Sequence, residues 1–161
     1  VGVDAARYSL IRYPVDTPLT LEIDLLTSHT NDNPVFYVQY AHARISSVLK
    51  TAKEKNIDWL KNNFKPVVLN TSQETDLLTA LSEFPRIVTT SAQLRQPHRV
   101  ARYLEELATF YHSFYAACRV LPQVDESPTD ETFARLMLCD ATRQVLANGL
   151  ELLGVSSPQR M

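Results

Sequence analysis

The sequence predicts an all-α protein: a helical bundle preceded by a short helix and an extended connector. Three observations predict it. From position 34 onward apolar residues recur at steps of three and four, helix-start residues stand at the heads of those runs, and only three glycines interrupt 161 residues. With 45% hydrophobic and 21% charged residues, the chain has enough apolar side chain to bury a core, which excludes intrinsic disorder.

Residues 1–32 form a connector in this reading and residues 33–161 the helical domain. Asp4 can cap a short helix through Ala5, Ala6, Arg7 and Leu10. Pro14, Pro18 and the alternation of Leu19, Leu21, Ile23 and Leu25 then predict extended chain. Asn33-Pro34 supplies an N-cap and a proline at the first helical position, where its missing N–H costs nothing. Thr71 with Glu74, and Ser127 with Asp130, have capping-box spacing. Helices are expected over 34–54, 72–83, 86–94, 97–119 and 129–152, with a short one around 57–64 and Gly154 just beyond the last. In the long helix from Pro97, the residues Val100, Leu104, Leu107, Tyr111, Phe114, Cys118 and Leu121 form a continuous apolar seam. Such a seam requires partner helices, and the short connections favour antiparallel neighbours.

Several chemistries are excluded. Gly2, Gly149 and Gly154 are too scattered for a phosphate-cradling loop, so no P-loop or dinucleotide fingerprint can be written. His29, His42, His98 and His112 lack the i, i+4 pairing of a zinc site, and Cys118 and Cys139 are 21 residues apart in apolar patterns, as inert thiols of a reducing compartment would be. Asp4, Asp24 and Asp140 have no acid–base partner at useful spacing; Asp4 reads as a cap and Asp140 as a solvated or ion-paired helix position. No apolar run approaches a membrane span and no signal segment is legible, so a soluble cytoplasmic protein without membrane contact is expected. The chain opens with Val, as a piece of something longer would.

Charge is unevenly distributed. The net charge is -2, yet residues 44–103 hold ten Lys/Arg against five Asp/Glu, a basic middle that can face a polyanion or simply solvate helix faces. The helix from Pro34 is the informative one. Val38, Ala41, Ile45, Val48 and Ala52 make its core stripe, and beside it Tyr37, Tyr40, Arg44 and Ser47 line one edge. Two phenol rings, a guanidinium and a hydroxyl in a row suit unstacked bases and phosphates. Equally, both tyrosines can pack on a neighbouring helix while Arg44 pairs with a carboxylate.

Asn31-Asp32-Asn33-Pro34 followed by Tyr37-Val38-Gln39-Tyr40-Ala41-His42-Ala43-Arg44 resembles the opening of the anticodon-binding domain of bacterial-type arginyl-tRNA synthetases, which are class I enzymes. Gly2-Val3-Asp4-Ala5-Ala6-Arg7-Tyr8 resembles a variant of their DALR motif. The stretches Pro97–Leu104, Phe114–Leu121 and Ala134–Met161 resemble the family's C-terminal third in the same order. The resemblance implies a DALR-type helical bundle that recognises the anticodon stem-loop of tRNA(Arg), with Tyr37, Tyr40, Arg44, a tyrosine of the long helix and the terminal Met161 near the bases. Tyr111 lies in the seam and Tyr115 on its edge, which favours Tyr115. The resemblance also implies a parent ligase that uses ATP, with magnesium, in a catalytic domain before Val1. The chain alone is then expected to be inactive, cofactor-free and monomeric. A helical protein–protein or oligomerisation module is the competing expectation; it explains the seam but not the Tyr37, Tyr40, Arg44 edge.

Overall fold

The computed structural model describes residues 1–61 and 63–161. Helix α1 spans Val3–Ile11, α2 Ile23–Thr27, α3 Pro34–Glu54, α4 Ser72–Leu94, α5 His98–Ala117 and α6 Asp130–Leu152. Trp59–Lys61 and Pro66–Val68 are 3-10 turns, and no strand occurs among the described residues, as an all-α fold requires. The short helix expected over 57–64 contracts to Trp59–Lys61; Asn62 lies outside the described residues.

Helices α3, α5 and α6 pack on one another around the core, α4 lies along α5, and α1 crosses α3 and α5. Val38, Ala41 and Ile45 of α3, Leu104, Leu107, Tyr111 and Phe114 of α5, and Leu136, Leu146 and Leu150 of α6 are fully buried. The α3 and α5 residues belong to the stripe and seam read from the sequence; the α6 residues add a third face to the core. Gly149 lets α6 approach α5 closely, since a Cβ there would stand 2.5 Å from a methyl of the fully buried Leu104, which would have to shift. The Thr71–Glu74 capping box forms as expected and opens α4.

Five local expectations are corrected. The chain expected to be extended from 19 to 25 is so only up to Glu22: Ile23–Thr27 is helical, and Leu21 and Ile23 are exposed, so the alternation marks no half-buried strand. Helix α4 runs unbroken through Pro85. The lost hydrogen bond, a cost of about 3 kcal/mol in a helix interior, is offset by packing Leu77 and Ala80 on α5, where Tyr103 Oη donates to Ala80 O at 2.9 Å. Asn33 occupies the N-cap of α3, but its amide donates backward to Leu26 O (3.3 Å) and Ser28 O (2.9 Å) rather than capping the helix. The cap of α6 is Thr129 with Thr132, not Ser127 with Asp130, because Asp130 is already the first helical residue. Asp4 lies in the first turn of α1, two residues after the N-cap Gly2, and its carboxylate is used elsewhere.

That use is to hold the tail. Gln39 Nε2 donates to Asp4 Oδ2 (2.8 Å) and to Ser156 O (2.9 Å), and the Ser156 hydroxyl also donates to Asp4. Burial alone would raise the Asp4 carboxyl; the bonds from Ser156 and Gln39 outweigh it and hold the pKa below its ordinary value. Gly154, at φ 66°, closes α6 with Val155 N bonded to Leu150 O, and Arg7 Nη1 donates to Gly154 O at 2.7 Å. The tail therefore folds back over α3, where His42 Nδ1 lies 2.8 Å from Pro158 O.

Candidate nucleic-acid interface

The edge of α3 that carries Tyr37, Tyr40 and Arg44 meets the outer face of α5. Tyr115 sits on that face, half-buried, while Tyr111 is fully buried beneath it with its ring 5.9 Å away. Burial raises the Tyr111 hydroxyl pKa strongly, so it stays a neutral core phenol. The Arg44 guanidinium lies over the Tyr115 ring at 4.4 Å and 6.0 Å from the Tyr40 ring centroid. Among the described residues it forms no ion pair with a carboxylate, so the guanidinium keeps its charge and its donors for an outside group.

Tyr37 and Tyr40 are used differently. Tyr37 packs its ring against His112 of α5 at 5.0 Å, and its hydroxyl is 3.2 Å from Thr109 Oγ1, so it joins the two helices as the packing alternative describes. Tyr40 is 36% exposed and stacks between Phe36 (5.9 Å, interplanar 7°) and His112 (5.9 Å, 28°). His29 stacks on the far face of Phe36 at 5.7 Å and 8°. A continuous strip of π faces and one cation thus runs His29, Phe36, Tyr40, Arg44, Tyr115, with His112 stacked on Tyr40.

Three of these contributors are absent from the sequence-derived list. Phe36 precedes Tyr40 by one helical turn, a spacing at which rings meet, so its part was legible. His29 and His112 come from other elements and are visible only in the fold. Burial, and then the Arg44 charge, push the His112 pKa down to about 4, so the ring is neutral at physiological pH, and its Nε2 is buried without a partner. Met161 ends the tail 56% exposed and makes no hydrogen bond or ring contact with the strip among the described residues.

The model of the DALR anticodon binding domain matches residues 38–161. An arginine–tRNA ligase of Frankia alni is 60% identical over 161 residues, which are the whole of this chain and 29% of that protein. Among solved structures, Thermus thermophilus arginyl-tRNA synthetase superposes with a TM-score of 0.81 at 29% identity, covering 98% of this chain and 26% of that one. Arginyl-tRNA synthetase from Plasmodium falciparum has the same fold, with a TM-score of 0.77 at 22% identity over 99% of this chain and 27% of that one. This chain thus spans less than a third of the length of each. The family model matched over residues 38–161 and the helices shared with these structures lead to one assignment: the chain belongs to the DALR anticodon-binding domain family.

Proposed function

We propose that this chain recognises the anticodon stem-loop of tRNA(Arg) as part of an arginine–tRNA ligase, with bases stacking on Tyr40 and Tyr115 and Arg44 holding a phosphate between them. The observation that carries this is Arg44, poised over two tyrosine rings without a carboxylate partner among the described residues. A guanidinium paired to an internal acid would instead have supported simple helix packing. Residues 1–32 serve as the connector to the catalytic part, and Met161 as the tail's contact near the loop. The three glycines stand at a helix start, inside α6 and after it, so they build no phosphate-cradling loop, and activation of arginine is assigned to the catalytic part of the ligase. The protein acts as a monomer in the cytoplasm.

The test is binding of tRNA(Arg) at two salt concentrations. Affinity falls steeply with salt if phosphates are held. Tyr40→Ala weakens binding by about 1 to 3 kcal/mol, and Arg44→Ala also lowers the salt slope by about 1. Unchanged affinity in both, with stability lost instead, overturns base recognition. Met161 offers a flexible apolar side chain beside a base. Deleting it lowers tRNA affinity without moving the melting temperature, because its side chain supports no core residue; equal affinity removes Met161 from the interface.

A further inference from the structure

Past the aromatic strip, toward the C-terminal end of α3 and turned toward α6, lies a groove of about 890 Å³. Ser47, the fourth member of the Tyr37, Tyr40, Arg44 row, stands at its near end, and Lys50 and Lys53 follow. Arg143 of α6 and Arg160 of the tail also line it, the tail being brought there by the His42–Pro158 contact. Trp59, from the 3-10 turn after α3, completes the lining.

The charges in this groove do not balance. Asp140 is consumed by Arg143 at 2.8 Å and by Trp59 Nε1 at 3.3 Å, and Glu54 is met by Lys50 at 3.8 Å. Lys53 Nζ lies 5.8 Å over the Trp59 ring, and Arg160 makes no ion pair among the described residues. Two cations therefore face the groove uncompensated, in a chain whose net charge is -2. The Ser47 and Thr51 hydroxyls spend their protons on the backbone carbonyls of Ala43 and Ser47, which leaves their oxygens as acceptors toward the groove.

We propose that this groove holds the ribose-phosphate backbone of the RNA strand flanking the bases on the Tyr40–Tyr115 row, an inference that rests on the RNA function proposed above. Lys53 and Arg160 hold phosphates, and the free hydroxyl oxygens accept from ribose 2′-OH groups, which a lone phosphate does not offer. The reach fits. Thirteen residues of helix separate Tyr40 from Lys53, about 20 Å along α3, a span that a few nucleotides of flanking strand cover.

The test uses the 161-residue chain with two probes, the anticodon stem-loop hairpin of tRNA(Arg) and its single-stranded loop alone. Lys53 and Arg160 are exposed, so the double variant Lys53→Gln/Arg160→Gln keeps its melting temperature. It binds the hairpin about tenfold more weakly, and the slope of log affinity against log salt falls by about 1.5 to 2. Lys53→Arg/Arg160→Lys retains both affinity and slope, and the isolated loop loses much less than the hairpin. Unchanged hairpin affinity and slope in the double variant, while Tyr40→Ala still weakens binding, overturn the groove and leave base recognition standing. An equal loss for hairpin and loop overturns its assignment to the flanking strand. Failure of the unaltered chain to bind the hairpin overturns both.

Discussion

Replacing Arg135 by methionine is expected to lower the unfolding free energy by about 3 to 5 kcal/mol, because it strands a buried charge. Glu74 is fully buried at the third position of α4. Its Oε2 accepts from Thr71 N at 2.9 Å and its Oε1 from Arg135 Nε at 2.7 Å, while Arg135 Nη1 donates to Arg119 O at 3.0 Å. One guanidinium thus ties α6 to the start of α4 and to the chain after α5. Burial on its own would raise the Glu74 carboxyl, but the bonds from Thr71 and Arg135 overcome it and hold the pKa below its ordinary value. A lowered folded pKa means that this stabilisation is complete above the unfolded value of about 4.3 and is lost as pH falls through the folded one. Without Arg135 the stranded carboxylate's folded pKa rises above the unfolded value, so protonation relieves the variant and its deficit relative to the parent shrinks as pH falls. Urea unfolding at pH 7 and across an acid series measures both effects. The double variant Glu74→Gln/Arg135→Met should recover much of the loss, since no charge is left unpaired. A loss below about 1 kcal/mol at pH 7 would mean that the cap bonds to Thr71 suffice to hold the carboxylate.

Features written within one turn of helix were legible in the sequence. The Thr71–Glu74 box, Pro34 at the start of α3 and the seam of α5 follow from spacing alone, and so does the placing of Tyr40 beside Arg44 on one edge. What the sequence hid depends on partners far along the chain. Pro85 reads as a break until Leu77 and Ala80 are seen packed against α5, whose burial keeps the helix whole. Asp4 reads as a cap until Gln39 and Ser156 arrive from 35 and 152 residues away to take its oxygens. The candidate site divides the same way. Its α3 half is a periodicity, whereas His29 and His112 join the strip only because a loop and a second helix fold against it.

Leu107→Ala is expected to cost about 2 to 5 kcal/mol, toward the upper part of that range. The side chain is fully buried at the middle of α5, between Leu104 and Tyr111, which are themselves fully buried. The cost of such a truncation depends on whether the surroundings can collapse into the space left behind. Here they are held on several sides. Leu104 is pinned by the approach of Gly149 from α6, Tyr103 is tied by its hydroxyl to Ala80 O, and Tyr8 fixes α1 to the same helix through Ala101 O at 2.9 Å. The cavity therefore persists and its neighbours lose contacts outright. Leu107 lies on the core face of α5, away from Tyr115, so a chain that is still folded should bind RNA as tightly as the parent, with only the midpoint of unfolding shifted. Denaturant titration and RNA binding on the same preparation separate the two. A stability loss below about 0.5 kcal/mol would mean that the seam of α5 is not what holds the bundle together, and a loss of RNA affinity in the folded variant would mean that the core and the aromatic strip are coupled rather than independent.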